Sequence, residues 1–249
     1  MAHGTTSSRA GAYRQYADVF DLVWRDAPHD RFADLCLYAA DRAGVGVKSV
    51  VDAACGTGNL LMEFAARGYL AAGFDLSEGM IEAGVAKSRT AGLDLHLAVG
   101  DLRSAPSADG CADLVVSLNT SINYLLEPDE VVTALAHLRR IAAPGGAVIV
   151  EPLSARAAHR GDAPGDHIRQ GSFRLDERQE VNGDLVLEHL EWSIDGVHWT
   201  ESYTQRYYDD ERLQALLLAA GLTLVERLPM HPFIATDPAR GRMFWVARP

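Results

Sequence analysis

The sequence predicts an α/β fold: a Rossmann-like, seven-stranded and mostly parallel sheet with helices on both faces, and an antiparallel β insertion that covers the ligand crevice. Three observations predict it. Strand and helix signals alternate over residues 47–151, as in βαβ units. One predicted strand ends at Asp52 and is followed by Gly56 and Gly58, and residues 173–208 carry the pattern of antiparallel strands.

Seven strands are predicted, each a short run of apolar and β-branched residues bounded by turn residues. In chain order they cover residues 49–53, 70–74, 93–99, 114–118, 147–151, 222–228 and 243–247. Helices with apolar residues every three or four positions lie between them, at residues 60–67, 80–90, 131–142 and 209–220. Ala143-Pro144-Gly145-Gly146 ends the third helix, Asp209 or Asp210 caps the fourth, and Gly221 ends it.

The alternation is interrupted after Pro152. Residues 155–172 are rich in His, Arg, Asp, Gly and Pro, which is typical of a loop. Two runs rich in β-branched and aromatic residues, 185–194 and 197–208, flank Asp195-Gly196, which is a strong hairpin signal. We therefore predict an antiparallel insertion over the crevice at the end of the parallel strands.

The chain has 249 residues, of which 48% are hydrophobic and 23% charged, as expected for one large α/β domain. Its net charge is −11 and its Lys and Arg residues form no cluster, which argues against nucleic acid or a membrane as partner. Three separated cysteines, Cys36, Cys55 and Cys111, indicate neither disulfides nor a metal site and fit a reducing cytoplasm. Residues 1–12 lack the apolar run of a secretory signal and are expected to be a mobile tail. The predicted partner is a small molecule.

The turn after the first strand most directly indicates a ligand. Gly56 and Gly58 follow Asp52 where a strand turns sharply into a helix, and glycine is needed there if the backbone is to approach a ligand more closely than a Cβ permits. A dinucleotide fingerprint would have a third glycine where this chain has Leu61. Polar residues also end or follow the next three strands, namely Asp75, Asp101 and Asn119. The carboxyl ends of the strands are where an open α/β sheet binds its ligand.

The segment Asp52-Ala-Ala-Cys-Gly-Thr-Gly58 resembles motif I of class I S-adenosylmethionine-dependent methyltransferases, with Ala54 where that family usually has glycine. Four further patches resemble the small-molecule N-methyltransferases that dimethylate nucleotide-linked amino sugars in antibiotic pathways. They are residues 16–22, residues 76–80, Pro144-Gly145-Gly146 with Val150-Glu151-Pro152, and Arg240-Gly241-Arg242. The resemblance implies S-adenosylmethionine as cofactor, S-adenosylhomocysteine as product, and no metal.

The resemblance also implies a division of the chain: a helical lid over residues 13–46, a cofactor-binding core over 47–152, a substrate-covering insertion over 153–208 and closing elements over 209–249. Asp75 is expected to bind the ribose hydroxyls, Asp101 and Leu102 the adenine, and the glycine pair the methionine part. The expected cofactor-binding residues are Tyr16, Asp52, Ala54, Gly56, Gly58, Asp75, Leu76, Met80, Asp101, Leu102 and Leu118.

The loop after the fourth strand is expected to face the transferred methyl group. The residues expected to orient the acceptor there are Tyr124, Asn123 and Ser121. The expected substrate-binding residues are Trp24, Asn119, Glu151 and Arg242. Arg242, with Arg240, could pair bidentately with a substrate phosphate.

Each of these residues also has an ordinary structural interpretation. Asp75 could be a helix N-cap, and Asn119 and Asn123 could be turn residues. Tyr124, Tyr16 and Trp24 could be packing residues on apolar faces. Glu151 and Arg242 could be exposed surface residues beside a turn.

The predicted reaction is methyl transfer to a small acceptor, with an amine preferred. A sulfonium methyl is already activated, so positioning can suffice without a strong base. Methyl transfer to a hydroxyl or carboxylate is the alternative within the class. Outside it, an NAD-dependent oxidoreductase explains Asp75 but not Leu61, and a non-catalytic cofactor-binding module would bind no acceptor. The protein is expected to be cytoplasmic, and a homodimer is possible.

Overall fold

The computed structural model describes residues 16–153, 167–230 and 242–249. The predicted tail at residues 1–12 and Arg240 lie outside the described residues. The helices are α1 (Ala17–Val23), α2 (His29–Arg42), α3 (Asn59–Ala66), α4 (Glu78–Ala91), α5 (Pro128–Ile141) and α6 (Asp210–Ala219). Short 3-10 helices cover Leu102–Ser104 and Ser121–Tyr124.

The strands of the main sheet are β1 (Ser49–Ala53), β2 (Leu70–Asp75), β3 (Leu95–Val99), β4 (Ala112–Ser117), β5 (Ala142–Val150), β10 (Thr223–Pro229) and β11 (Met243–Arg248). They form one seven-stranded sheet in the order β10-β11-β5-β4-β1-β2-β3. Only β11 runs antiparallel to its neighbours β5 and β10. The predicted seven-stranded, mostly parallel sheet is therefore confirmed.

The order reverses between β1 and β4, because the chain moves outward from β1 to β3 and then returns to β4 on the other side of β1. The carboxyl ends of β1 and β4 consequently lie side by side at a topological switch point. In an open α/β sheet, this crevice is the place where ligands bind.

Apolar residues from the alternating faces of the strands form two clusters, one on each face of the sheet. One cluster includes Val115 and Leu135, and the other includes Leu114 and Phe64, all of them fully buried. Because both faces of β4 are buried, this strand is apolar nearly throughout, as parallel strands usually are. The main sheet is thus a rigid platform for the residues at its edge.

The second sheet has four antiparallel strands in sequence order: β6 (His167–Gln170), β7 (Phe173–Asn182), β8 (Leu185–Ile194) and β9 (Val197–Arg206). The hairpin predicted at Asp195-Gly196 joins β8 and β9, and both residues adopt positive φ. An apolar cluster joins the sheet to α1 and α4, with Trp192, Leu175, Tyr16 and Met80 among its members. The sheet therefore packs over the end of the platform at which α4 begins.

Several predicted boundaries were wrong. Residues 93 and 94 precede β3, and the strand predicted to end at 118 ends at Ser117. Strand β6 lies within the antiparallel insertion expected over residues 153–208, in a stretch of loop-like composition. Ala143-Pro144-Gly145-Gly146 ends the helix as predicted, but it lies within β5. The pairing of β4 with β5 skips these residues, since Ala112 pairs with Ala142 and Leu114 with Ala147. A bulge thus accommodates a proline and two glycines that regular pairing would exclude.

Candidate active site

A cavity of about 760 Å³ lies at the carboxyl ends of the parallel strands. The turn after β1, the end of β2 and the loop after β4 form its floor. Helix α1 covers one side, and the inner face of the second sheet forms the opposite wall. The cavity therefore lies between the predicted core and the predicted insertion.

The turn after β1 has three backbone positions in the left-handed region, at Ala54, Gly56 and Gly58. Gly56 has a φ of 55°, and the ring of Phe20 lies 3.3 Å from the position that a Cβ on Gly56 would occupy. Ala54 has a φ of 70°, a conformation that costs a non-glycine residue on the order of 1 kcal/mol. Ala54, which stands where the resembled motif usually has glycine, thus adopts a conformation typical of glycine.

Asp75 connects the end of β2 to this turn. Its Oδ2 accepts a hydrogen bond from the Gly56 N–H at 2.8 Å, and its Oδ1 accepts one from the Ser77 N–H at 2.9 Å. The N-cap of α4 is Ser77, whose Oγ accepts from the Met80 N–H, so the interpretation of Asp75 as the cap is wrong. Burial raises the pKa of Asp75, against the opposing effect of hydrogen bonds from Ser77 and Gly56.

Asp52 is a second buried carboxylate at the end of β1, with 5% of its surface exposed. Burial, followed by the negative charge of Asp75, raises its pKa to about 7. A carboxyl group with a strongly raised pKa in a cavity is typical of a functional site. Asp52 and Asp75 together make this end of the cavity electronegative.

Asp101 follows β3 and is held by an arginine that the sequence did not single out. Its carboxylate accepts from the Arg103 backbone N–H at 2.8 Å and from the Arg103 Nε at 3.0 Å. The Arg103 Nη1 donates in turn to Glu130 of α5 at 2.8 Å. Arg103 lines the cavity and orients Asp101 there.

Glu151 follows β5 and is completely buried, so the interpretation of it as a surface residue is wrong. Its Oε2 accepts from the Asn119 N–H at 3.0 Å, and its Oε1 accepts from the Arg242 Nε. The Arg242 Nη2 donates to the Asn119 Oδ1 at 2.9 Å. Three residues that are distant in sequence thus form one network at the cavity wall. In this network, Arg242 is paired with a carboxylate of the protein itself.

The loop after β4 places two of its three expected orienting residues in the cavity. Ser121 and Tyr124 line it, and the Tyr124 ring packs edge-to-face on Tyr203 of β9, with 6.1 Å between ring centroids. Asn123 is fully buried behind the wall. Its Nδ2 donates to the Arg206 carbonyl at 2.7 Å, and its Oδ1 accepts from the Leu153 N–H at 2.8 Å.

All but two of the predicted site residues line this one cavity. Those that line it are Tyr16, Trp24, Asp52, Ala54, Gly56, Asp75, Leu76, Met80, Asp101, Leu102, Leu118, Asn119, Ser121, Tyr124, Glu151 and Arg242. Asn123 and Gly58 are absent from the lining, since Gly58 faces Leu95 and Leu97 of β3.

Sequence reasoning missed other lining residues. The second sheet contributes Glu177, Glu188 and Tyr203, and α1 contributes Phe20. The strand register places Glu177, Glu188 and Tyr203 on the same face of the second sheet. Glu188 of β8 pairs with Tyr203 of β9 and with Gln179 of β7, and Glu177 lies two residues before Gln179. Strand alternation in the hairpin was the available signal, but it did not identify which face is turned to the core.

Among residues 16–153, 167–230 and 242–249, no group of three or more His, Cys, Asp or Glu side chains is arranged to hold a metal ion. No helix within the same residues is long and apolar enough to span a membrane.

Comparison with known proteins identifies the class of enzyme. Residues 50–146 match a family model described as a methyltransferase domain. A crystal structure of an S-adenosylmethionine-dependent methyltransferase from Clostridium acetobutylicum has the same fold, with a TM-score of 0.79, 20% identity, and coverage of 95% of this chain and 98% of that one.

Two of the similar proteins come from Streptomyces venezuelae. The crystal structure of its DesVI protein has a TM-score of 0.74 and 26% identity, and covers 94% of this chain and 98% of that chain. Its dTDP-3-amino-3,4,6-trideoxy-alpha-D-glucopyranose N,N-dimethyltransferase is 32% identical over 146 residues, which are 55% of this chain and 56% of that protein. These comparisons support an S-adenosylmethionine-dependent methyltransferase. The NAD-dependent oxidoreductase and the non-catalytic module are not supported.

The cavity fits the cofactor of this class. Gly56 lines it without a side chain, and Asp75 presents a buried carboxylate whose remaining lone pairs can accept hydroxyl hydrogens. We expect Asp75→Ala to weaken the binding of S-adenosylhomocysteine by tenfold or more, as measured by isothermal titration calorimetry. The matched control is Asp113→Ala, because Asp113 also accepts from two backbone N–H groups, of Lys48 and Ser49, away from the cavity. Equal affinity of Asp75→Ala and wild type would remove Asp75 from the cofactor site.

The raised pKa of Asp52 makes a second prediction. An unfolded Asp titrates near pH 4, whereas Asp52 in the folded protein titrates at about 7. The stabilising contribution of its proton is therefore complete below about pH 4 and is lost as the pH rises through 7. This loss is on the order of 4 kcal/mol in the free energy of unfolding of the cofactor-free protein.

Asp52→Asn should remove that part of the pH dependence, because an amide does not ionise. Urea unfolding at pH 5 and pH 8 measures it, and the variant should gain stability relative to wild type at the higher pH. The exposed Asp94→Asn is the control. If Asp52→Asn and wild type lost the same stability between the two pH values, Asp52 would not be the titrating group.

Proposed function

We propose that this protein transfers the methyl group of S-adenosylmethionine to the nitrogen of a small amine of the amino-sugar kind and releases S-adenosylhomocysteine. The observation that carries the proposal is the continuous cavity between the glycine turn and the second sheet. Its floor has the residues expected to bind the cofactor, and its opposite wall has polar and aromatic residues of a different element. One cavity can therefore hold both reactants.

The charge of the residues that line the cavity supports an amine as the methyl acceptor. The acidic residues among its described lining are Asp52, Asp75, Asp101, Glu151, Glu177 and Glu188. The basic ones are Arg103, which pairs with Asp101, and Arg242, which pairs with Glu151. A negative cavity attracts a protonated amine and repels a carboxylate. This favours N-methylation over methylation of a carboxylate.

The aromatic wall supports the same assignment. Tyr124 and Tyr203 meet edge-to-face beside Glu188, which pairs with Tyr203 across β8 and β9. Ring faces and carboxylates both attract ammonium groups. An amine held between these groups would lie over the loop after β4, on the substrate side of the cavity.

The cofactor supplies an activated methyl group on sulfonium sulfur. The protein has to hold the acceptor nitrogen in line with that methyl group and exclude water, an effect worth ~7–11 kcal/mol. The second sheet and α1 cover part of the cavity and so limit the access of water to it. Tyr124 and Ser121 are placed to orient the nitrogen lone pair, and a neighbouring carboxylate can accept its proton before attack.

The relatives support the amine as well. The name of the Streptomyces venezuelae enzyme states an amino-sugar N,N-dimethyltransferase, although this chain spans only 56% of its length. The match to DesVI covers 94% of this chain. The amino-sugar assignment therefore draws on both similarity and cavity charge.

The experiment that tests the proposal has two steps. Thermal shift with S-adenosylhomocysteine, S-adenosylmethionine, NAD and NADP tests the cofactor, since a ligand that binds only the folded state raises the melting temperature. Mass spectrometry then follows methyl transfer to paired acceptors that differ only in an amine, a hydroxyl or a carboxylate. Gain of methyl mass on the amine alone is expected, and transfer to only the hydroxyl or carboxylate member would overturn the amine assignment.

Tyr124→Phe tests the acceptor wall. Removal of the hydroxyl should lower turnover roughly tenfold, the effect of one orienting hydrogen bond, while affinity for S-adenosylhomocysteine stays unchanged. Tyr38→Phe is the matched control, because Tyr38 is an exposed residue of α2 outside the cavity. Full turnover of Tyr124→Phe would exclude the orienting role of the hydroxyl.

A further inference from the structure

A polar cluster at the edge of the cavity connects the covering helix to the cofactor side. The Lys87 Nζ, on α4, donates to both carboxylate oxygens of Asp21, on α1, at 3.0 and 2.8 Å. The same ammonium donates to the Thr57 Oγ1 at 2.8 Å and to the Asn59 Oδ1. Thr57 and Asn59 donate in turn to the Asp21 Oδ1 at 2.7 and 3.0 Å. Every member therefore bonds to at least two of the others.

These four residues come from three helices and the glycine turn. Asp21 is in α1, Thr57 is in the glycine turn, Asn59 begins α3 and Lys87 lies near the end of α4. Thr57 is completely buried, whereas 24% of the Lys87 side chain and 43% of the Asp21 side chain are exposed. The hydrogen-bonded ion pair is therefore partly buried, and a partly buried pair is screened less by salt than a fully exposed one. The polar cluster thus connects α1 to the glycine turn, to the start of α3 and to α4.

Helix α1 depends on such contacts for its position. It has seven residues and no side-chain N-cap, and a helix this short is not stable by itself in water. Tyr16 and Val19 belong to the apolar cluster that also contains Met80 and residues of the second sheet. The carboxylate of Asp21 supplies the polar attachment to α4 and the glycine turn.

The position of α1 determines where Phe20, the residue before Asp21, lies relative to the cavity. Phe20 lies against Gly56, with 3.3 Å between its Cζ and the place of a Cβ on that glycine, and Phe20 and Trp24 both line the cavity. If the polar attachment were lost, α1 could move away from the turn and take both aromatic side chains with it. The cavity would then open on the cofactor side.

We propose that Asp21 and Lys87 are positioning residues whose ion pair holds α1 closed over the glycine turn and so sets how long the cofactor stays bound. This inference rests on the proposed function, because it takes the cavity as the cofactor site. Neither residue lines the cavity, so the pair acts through Phe20 and Trp24.

The ionisation of Asp21 agrees with this role. Burial acts to raise the pKa of Asp21, but hydrogen bonds from Lys87, Thr57 and Asn59 outweigh it and hold the pKa below its usual value. The carboxylate is therefore charged at neutral pH, where the attachment to Lys87 is complete.

The first test measures the dissociation rate of labelled S-adenosylhomocysteine in a chase with unlabelled ligand. Asp21→Asn and Lys87→Met should each speed dissociation about tenfold, as expected for loss of one charge-assisted contact. The double variant Asp21→Asn/Lys87→Met should be no faster than Asp21→Asn, because both changes remove the same pair. Asp34→Asn is the matched control, since it removes the ion pair with Arg67, at 2.6 Å, outside the cavity.

The second test requires no cofactor. Amide hydrogen exchange of the free protein should be faster in α1 for Asp21→Asn than for wild type, and unchanged in β1 and β4. This comparison separates loss of the attachment from loss of the fold. It also holds if the wild type fails to bind S-adenosylhomocysteine, an outcome that would contradict the proposed function alone.

Two results would overturn the inference. One is unchanged exchange in α1 of Asp21→Asn. The other is a wild type that binds S-adenosylhomocysteine and an Asp21→Asn variant that releases it no faster than Asp34→Asn does.

Discussion

The backbone of the turn after β1 is the constraint on which the rest of the site depends. The N–H groups of Ala54 and Cys55 both donate to the Phe74 carbonyl, at 2.8 and 3.0 Å, and the Gly56 N–H donates to the Asp75 carboxylate. These bonds satisfy donors that a sharp turn would otherwise leave unpaired, and they join the ends of β1 and β2. The position of the cavity floor follows from them, and α1 and the second sheet pack over that floor.

Close packing behind the turn distinguishes this fold from a dinucleotide-binding one. In the dinucleotide fingerprint, a glycine on the helix permits the close approach of helix and strand. Here the helix has Leu61, and the glycine is on the strand: a Cβ on Gly73 would lie 2.6 Å from Leu61 Cδ1 and 2.8 Å from the Asp52 carbonyl oxygen. The glycine that permits close packing of helix and strand therefore lies in β2, at Gly73, and the helix has Leu61 instead.

Backbone strain is concentrated at the cavity. Ala54, Asn119 and Thr120 are non-glycine residues with positive φ, and they border the cavity at the ends of β1 and β4. Such conformations persist where surrounding bonds determine them. The Asn119 N–H and the Thr120 N–H both donate to Glu151, through its side chain and its carbonyl, respectively. The buried Glu151 thus appears in the sequence only as a strand-ending acid, but in the fold it supports the loop after β4.

The sequence by itself determined the order of strands and helices in the main sheet and the end of that sheet where the cavity lies, because apolar periodicity, glycine at a turn and polar residues at strand ends are local properties. Only the tertiary structure decided which side chains meet. The bond between Arg242 and Glu151 spans 91 residues, and that between Lys87 and Asp21 spans 66. Partners so far apart are brought together by the packing of α1, the platform and the second sheet. A local sequence pattern does not specify which distant residues meet in space, since this depends on how every intervening element packs.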